Sequence, residues 1–164
     1  MTGTIVQINT SPGGVPKRAV FEGSVRFRGL DGDSWAHPQF HGGPNQALLL
    51  IAEEVIDILK AKGYPVYPGA LGENLTTRGL DPRHFRIGQT YRAGTARFRL
   101  TKLRTPCSTI QIYGRQIGRE IYDAQAKAGD PASPVWCFAG IYAGVVTEGV
   151  IHPGDPISLE SELA

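Results

Sequence analysis

The chain has 164 residues, of which 41% are hydrophobic and 20% charged, and a formal net charge of +2. That length suits one domain able to bury a core without disulfides, and that balance excludes a disordered or membrane-embedded chain. A charge this small, with no run of five basic residues, gives no case for nucleic-acid binding.

In chain order, the first predicted element is a strand at Thr4 to Asn9. No charged residue precedes Lys17, which is unlike a signal peptide, and the longest apolar stretch, Ala47 to Ala52, is far too short to cross a bilayer. The expectation is a cytoplasmic protein that does not engage a membrane. Further strands are predicted at Ser24 to Arg28, Ala47 to Ile51, Thr90 to Ala93, Ala96 to Leu103, Ile141 to Glu148 and Pro156 to Glu160, each flanked by Gly, Pro or Asp. Within Ala96 to Leu103, Ala96, Phe98 and Leu100 share one face and Arg97, Arg99 and Thr101 the other. A helix is predicted from Ala52 to Lys62, with Ile51, Val55, Ile58 and Leu59 on one stripe and Gly63 at its end. A second is predicted from Gln116 to Lys127, with Ile117, Ile121 and Ala124 at helical spacing. The 21 Gly and 12 Pro favour short strands and many turns. The fold expected is mostly β, a barrel with a few peripheral helices.

Four segments carry side chains with chemistry. Gly29-Leu30-Asp31-Gly32-Asp33 and His41-Gly42-Gly43-Pro44 place glycines where backbone can approach a ligand, with a titratable imidazole beside them. The same residues also make ordinary turns. In Pro68 to Thr77, Glu73 and Asn74 stand at a loop, either presented to a site or satisfying nearby backbone groups. Arg104-Thr105-Pro106-Cys107 follows the Ala96 to Leu103 strand. A thiolate is a strong nucleophile and a soft metal ligand, and a neighbouring Arg stabilises it, but a cysteine is as often a small buried apolar residue. Cys137, between Trp136 and Phe138, reads as core packing. From Arg83 to Arg104 seven basic residues occur with no acidic one, which suggests a locally positive surface or a solvated strand face. Zinc-binding CxxC or HExxH, the GxxxxGK[ST] phosphate loop and the GxSxG elbow are all missing.

Taken in order, Gly29–Asp33, His41 to Ala47, Pro68 to Leu75, Arg104 to Cys107 and Gly149 to Asp155 resemble the molybdenum cofactor sulfurase C-terminal (MOSC) domain, small bacterial stand-alone type, across nearly the whole chain. The resemblance implies a single MOSC domain over residues 1–164, built on a β-barrel. It also implies that the cysteine after Arg-x-Pro, here Cys107, ligates the molybdenum of a pyranopterin cofactor in members that reduce N-hydroxylated or N-oxide compounds. On that reading Arg97, Arg99 and Arg104 would hold the pterin phosphate, Gly42 and Gly43 would approach the cofactor, and His41, Glu73 and Asn74 would line the substrate side. The partners would be a small-molecule substrate and an electron-donor reductase. The alternative is a sulfur carrier that forms a persulfide on Cys107 and receives its sulfur from a donor protein. Nothing in the chain matches the aminotransferase-like domain of the sulfurases, so no pyridoxal phosphate is expected.

Overall fold

The structure is a computed structural model that describes residues 1–34 and 42–161. Its strands are β1 (Thr2–Thr10), β2 (Arg18–Val20), β3 (Gly23–Arg26), β4 (Gly29–Leu30), β5 (Leu48–Ala52), β6 (Leu75–Arg78), β7 (Thr90–Ala93), β8 (Ala96–Leu103), β9 (Ile141–Thr147), β10 (Gly149–Ile151) and β11 (Pro156–Ser161). The helices are α1 (Glu53–Ala61), α2 (Ile117–Ile121) and α3 (Ala124–Lys127), with short 3-10 turns at Pro82–His84 and Ser108–Tyr113. No described helix is long and apolar enough to span a membrane.

The strands β11-β7-β8-β9-β5-β6-β1 are neighbours in that order, and pairing of β11 with β1 closes them into a seven-stranded barrel. All these pairings are antiparallel except β5 with β6, where Leu50, Ile51 and Ala52 align with Leu75, Thr76 and Thr77. Closure removes the exposed edges that a flat sheet would carry. A three-stranded sheet, β10-β3-β4, lies beside it, and its Val25, Leu30 and Ile151 join the barrel's own core. β8 shows why the barrel forms here. Ala96, Phe98 and Leu100 are buried, while Arg99 is exposed and Arg97 half-buried, so one face of an alternating strand goes inward and the charged face goes out.

β5 reads Leu-Leu-Leu-Ile-Ala and is buried on both faces. Leu48 and Leu50 face the barrel interior, whereas Ile51 and Ala52 join a second core beneath α1, the Ser108–Tyr113 turn and α2. Two acidic residues in the first turn of α1, Glu53 and Glu54, favour the positive end of the helix dipole. Val55, Ile56 and Leu59 supply the buried face; Ile58, placed by spacing on that stripe, is exposed instead. The helix ends in a Schellman arrangement: Gly63 at φ 93° donates to the Lys60 carbonyl (3.0 Å) and Tyr64 to that of Leu59 (3.1 Å).

The helix expected from Gln116 to Lys127 is broken. Tyr122 is extended, and Asp123 begins α3 by accepting from the Ala126 amide (2.8 Å) and the Ser133 hydroxyl (2.8 Å). An Asp able to cap a new turn outcompetes continuation of the old one. Glu73 and Asn74, expected at a loop, do precede a strand, and Leu75–Arg78, where no strand was expected, form β6 because parallel pairing with β5 satisfies their backbone.

Candidate functional site

β8 delivers Arg104 to the end of the barrel. Its amide donates to the Gly140 carbonyl (3.0 Å), and its side chain is buried, with Nη1 donating to the Ala139 carbonyl (3.3 Å). Pro106 limits the next turn of chain, and Cys107 is extended where the Ser108–Tyr113 turn begins. Its side chain is half-buried, with Sγ 2.6 Å from the Thr109 hydroxyl. Burial works to raise this thiol's pKa. It is outweighed by the Thr109 hydroxyl and amide and by the charge and hydrogen bonding of Arg104, so the pKa falls below the ordinary thiol value. The anion is therefore favoured at a sulfur that solvent can reach, with the Thr109 hydroxyl as its donor.

Arg104 also links the rest of the site. Its charge and hydrogen bonding act on the Tyr142 hydroxyl of β9, whose pKa is nevertheless raised by burial. Its charge also reaches Glu73, on the loop before β6. That loop turns at Gly69, whose φ of 93° admits glycine readily and where a Cβ would strike the Lys17 carbonyl. Glu73 is fully buried. Its Oε1 accepts from the Gly69 amide (2.7 Å) and the Thr76 hydroxyl (2.9 Å), while Oε2 has no partner among the described residues. Burial raises this carboxyl's pKa despite those hydrogen bonds and Arg104, which favours the neutral acid.

Asn74 is the cross-tie of the same loop. Its Oδ1 accepts from the Leu49 amide (3.0 Å), and its Nδ2 donates to the Asn9 carbonyl (3.3 Å) and to Asp33 Oδ2 (2.9 Å). Behind it lies a buried network that motif reading did not assemble. Lys17 Nζ is 2.5 Å from Asp33 Oδ1, which also accepts from the Ser11 amide (2.9 Å), and Asn9 Nδ2 donates to the Glu73 carbonyl (3.1 Å). Both charged side chains are nearly sealed, at 8% and 2% exposure, so the pair is hydrogen-bonded out of water rather than solvated. Asp33 was visible only as part of a glycine turn, and Lys17 only as the first charged residue of the chain. The sole hint was the glycine and proline density of Ser11 to Pro16.

The remaining expected site residues are placed less closely. His41 lies outside the described residues. Gly42 and Gly43 have φ 82° and 84°, and the Thr101 hydroxyl donates to the Asn45 carbonyl just after them, which ties this segment to the outside of β8. Arg97 and Arg99 are not brought to Cys107. At roughly 3.3 Å per residue their Cα atoms precede Arg104 by about 23 and 17 Å along β8. They are on its outer face, Arg97 paired with Glu160 (2.5 Å) and Arg99 donating to the Thr90 hydroxyl (3.3 Å). Cys137 is in the barrel core at φ 58°, and burial drives its thiol pKa sharply up. In the Gly149 to Asp155 segment, Asp155 accepts from the His152 amide (2.8 Å) and so shapes the turn between β10 and β11.

A closed barrel with a half-open cysteine beside a buried arginine at one end defines a cysteine-centred β-barrel protein. The chain belongs to the MOSC domain family, whose model matches residues 37–158. It is 28% identical over 142 residues to protein YiiM of Escherichia coli (strain K12), covering 83% of this chain and 58% of that one. It is 27% identical over 151 residues to the uncharacterized protein YflK of Bacillus subtilis (strain 168), covering 90% and 63%. The chain thus spans about three-fifths of the length of these curated relatives. Among solved structures, YiiM from Geobacillus stearothermophilus superposes with a TM-score of 0.71 at 26% identity, over 97% of this chain and 75% of that one. The YUAD protein from Bacillus subtilis, at 19% identity and a TM-score of 0.68 over 96% and 94% of the two chains, shares the fold.

Proposed function

We propose that this protein binds a molybdenum cofactor through Cys107 and reduces N-hydroxylated or N-oxide compounds. The observation that carries the reading is the state of one sulfur atom: half-open, and held toward the thiolate by Thr109 and Arg104. The donor set fits such a group. Among the described residues no cluster of three His, Cys, Asp or Glu could cage a metal. A single soft thiolate instead suits a metal that arrives already held by sulfur. When bound, the cofactor supplies the two-electron chemistry that removes oxygen from nitrogen.

The chain's own residues do the rest. Cys107 ligates, and Arg104 stabilises its thiolate and offers a guanidinium to the cofactor's phosphate. Gly42 and Gly43 let backbone approach the cofactor. Converting an N-hydroxyl compound to an amine and water consumes two protons along with the two electrons. The buried carboxyl of Glu73, whose pKa burial raises, is one candidate proton donor, and His41 is the second. Asn74 fixes the Glu73 loop against Leu49 and Asp33.

The test is purification from molybdenum-replete cells, with metal and released pterin measured for wild type, Cys107→Ser and Cys137→Ala. Near-stoichiometric molybdenum in wild type and Cys137→Ala, sharply reduced in Cys107→Ser as purified, is the expected result. A metal-free wild type whose Cys107 instead gains the mass of one sulfur from a persulfide donor would overturn it in favour of the sulfur carrier.

A further inference from the structure

We infer that the outer face of β7 and β8 is the docking surface for an acidic electron-carrier protein. The inference rests on the reductase reading above, which requires electrons from outside the chain: its two cysteines are Cys107 and the core residue Cys137, too few to hold an iron–sulfur cluster. Arg92 and Arg97 are directly opposed across the β7–β8 pairing, and Arg99 and Lys102 follow on β8. Like charges facing each other across a ladder destabilise a sheet. Among the described residues only one of these four cations makes an ion pair, Arg97 with Glu160; Arg92, Arg99 and Lys102 make none. A strand face selected only for solvation would interleave the two signs, as happens where Arg78 of β6 meets Glu53 and Asp57 of α1.

The face is also correctly placed. Lys102 lies two residues before Arg104, and the Thr101 bond to Asn45 joins the Gly42 and Gly43 segment to this wall. A carrier that engages Lys102 as well as Arg99 and Arg97, which lie about 17 and 23 Å back from Arg104 along β8, would extend toward the rim that holds Cys107. Charge complementarity of this kind acts mainly on encounter rate and orientation.

The experiment compares wild type with the double variant Arg92→Glu, Lys102→Glu. The first substitution creates an opposite-charge pair with Arg97, so the fold is kept. Oxidised flavodoxin, a small acidic flavoprotein, is titrated against each protein at 20 and 300 mM KCl. Reduction of a model N-hydroxylated amidine is then measured with reduced flavodoxin and, separately, with reduced methyl viologen, a small cation that needs no acidic docking. The expected result is salt-sensitive flavodoxin binding to wild type, weakened about tenfold or more in the variant. Flavodoxin-driven turnover should fall by a similar factor, with viologen-driven turnover unchanged. Equal or salt-insensitive flavodoxin affinities in the two proteins would overturn the inference. So would salt-dependent binding of a 20-nucleotide single-stranded DNA where flavodoxin does not bind. Failure of viologen-driven turnover in wild type would instead sink the reductase reading, with the docking face still judged by the titration.

Discussion

The chain's two cysteines are placed in opposite environments. Cys107 is at the barrel's end, half-open, with Thr109 and Arg104 lowering its pKa; Cys137 is in the barrel core with Trp136, and burial raises its pKa. Identical side chains therefore have different chemistry because one retains hydrogen-bond donors and solvent, while the other is sealed and the charge of Arg86 does not offset its burial. The same contrast extends to the surroundings. The barrel interior is apolar around Phe98, Tyr91 and Ile141, whereas the end near Arg104 is backed by the buried polar set of Lys17, Asp33, Asn74 and Glu73.

The most severe way to break that contrast is at the polar end. Lys17→Met strips the buried Asp33 carboxylate of its ion-pair partner and should cost about 3–5 kcal/mol in denaturant unfolding, with part of the loss restored by adding Asp33→Asn, which removes the unpaired charge and keeps an oxygen for the Ser11 amide. Next in size is thiol reactivity. Iodoacetamide should label Cys107 on the order of 100-fold faster than Cys137 in the native protein, read by peptide mass, with the two rates converging on unfolding. Cys137→Ser, which leaves a hydroxyl among apolar neighbours, should destabilise by about 1–3 kcal/mol while leaving the Cys107 labelling rate unchanged.

Smaller effects sharpen the comparison. Arg104→Met should move the pH midpoint of Cys107 alkylation upward and slow the reaction at neutral pH, with Arg104→Lys intermediate because it keeps charge but not the guanidinium's donors. Stability should respond to pH with opposite signs at the two thiols. Cys107, lowered in the folded protein, contributes stability that is complete above its unfolded pKa of about 8.5 and is lost as pH falls through the folded value. Cys137, raised by burial, opposes folding as pH climbs beyond about 8.5. Relative to Cys107→Ser the wild type should thus gain stability on alkalinisation, and relative to Cys137→Ala it should lose it.

Much of the barrel was legible because its strands carry their own pattern. Ala96–Leu103 forms where alternation places it, Thr90–Ala93 forms between its flanking glycines, and Cys137 packs as its aromatic neighbours suggest. The short strands β2, β4, β6 and β10 were not foreseen: two to four residues are too few to show a period, and Thr76 and Thr77 are buried through pairing rather than through apolar character. The Arg104 to Cys107 segment was found as a local motif. Lys17, Asp33 and Asn74 were not found as a unit, since their contacts span 16 and 41 residues of chain and arise only when the barrel closes. Arg97 and Arg99 show the limit of counting charges: strand alternation carries them to the outer wall even though they lead directly toward Arg104.

The account depends on the Cys107 sulfur bonding directly to the metal. Molybdenum K-edge X-ray absorption on the loaded protein measures this most directly, by counting the sulfur atoms around the metal in wild type and in Cys107→Ser reconstituted with the same cofactor. One sulfur more in wild type than in the variant is the result predicted. The same sulfur count in both, with molybdenum fully retained, would contradict it.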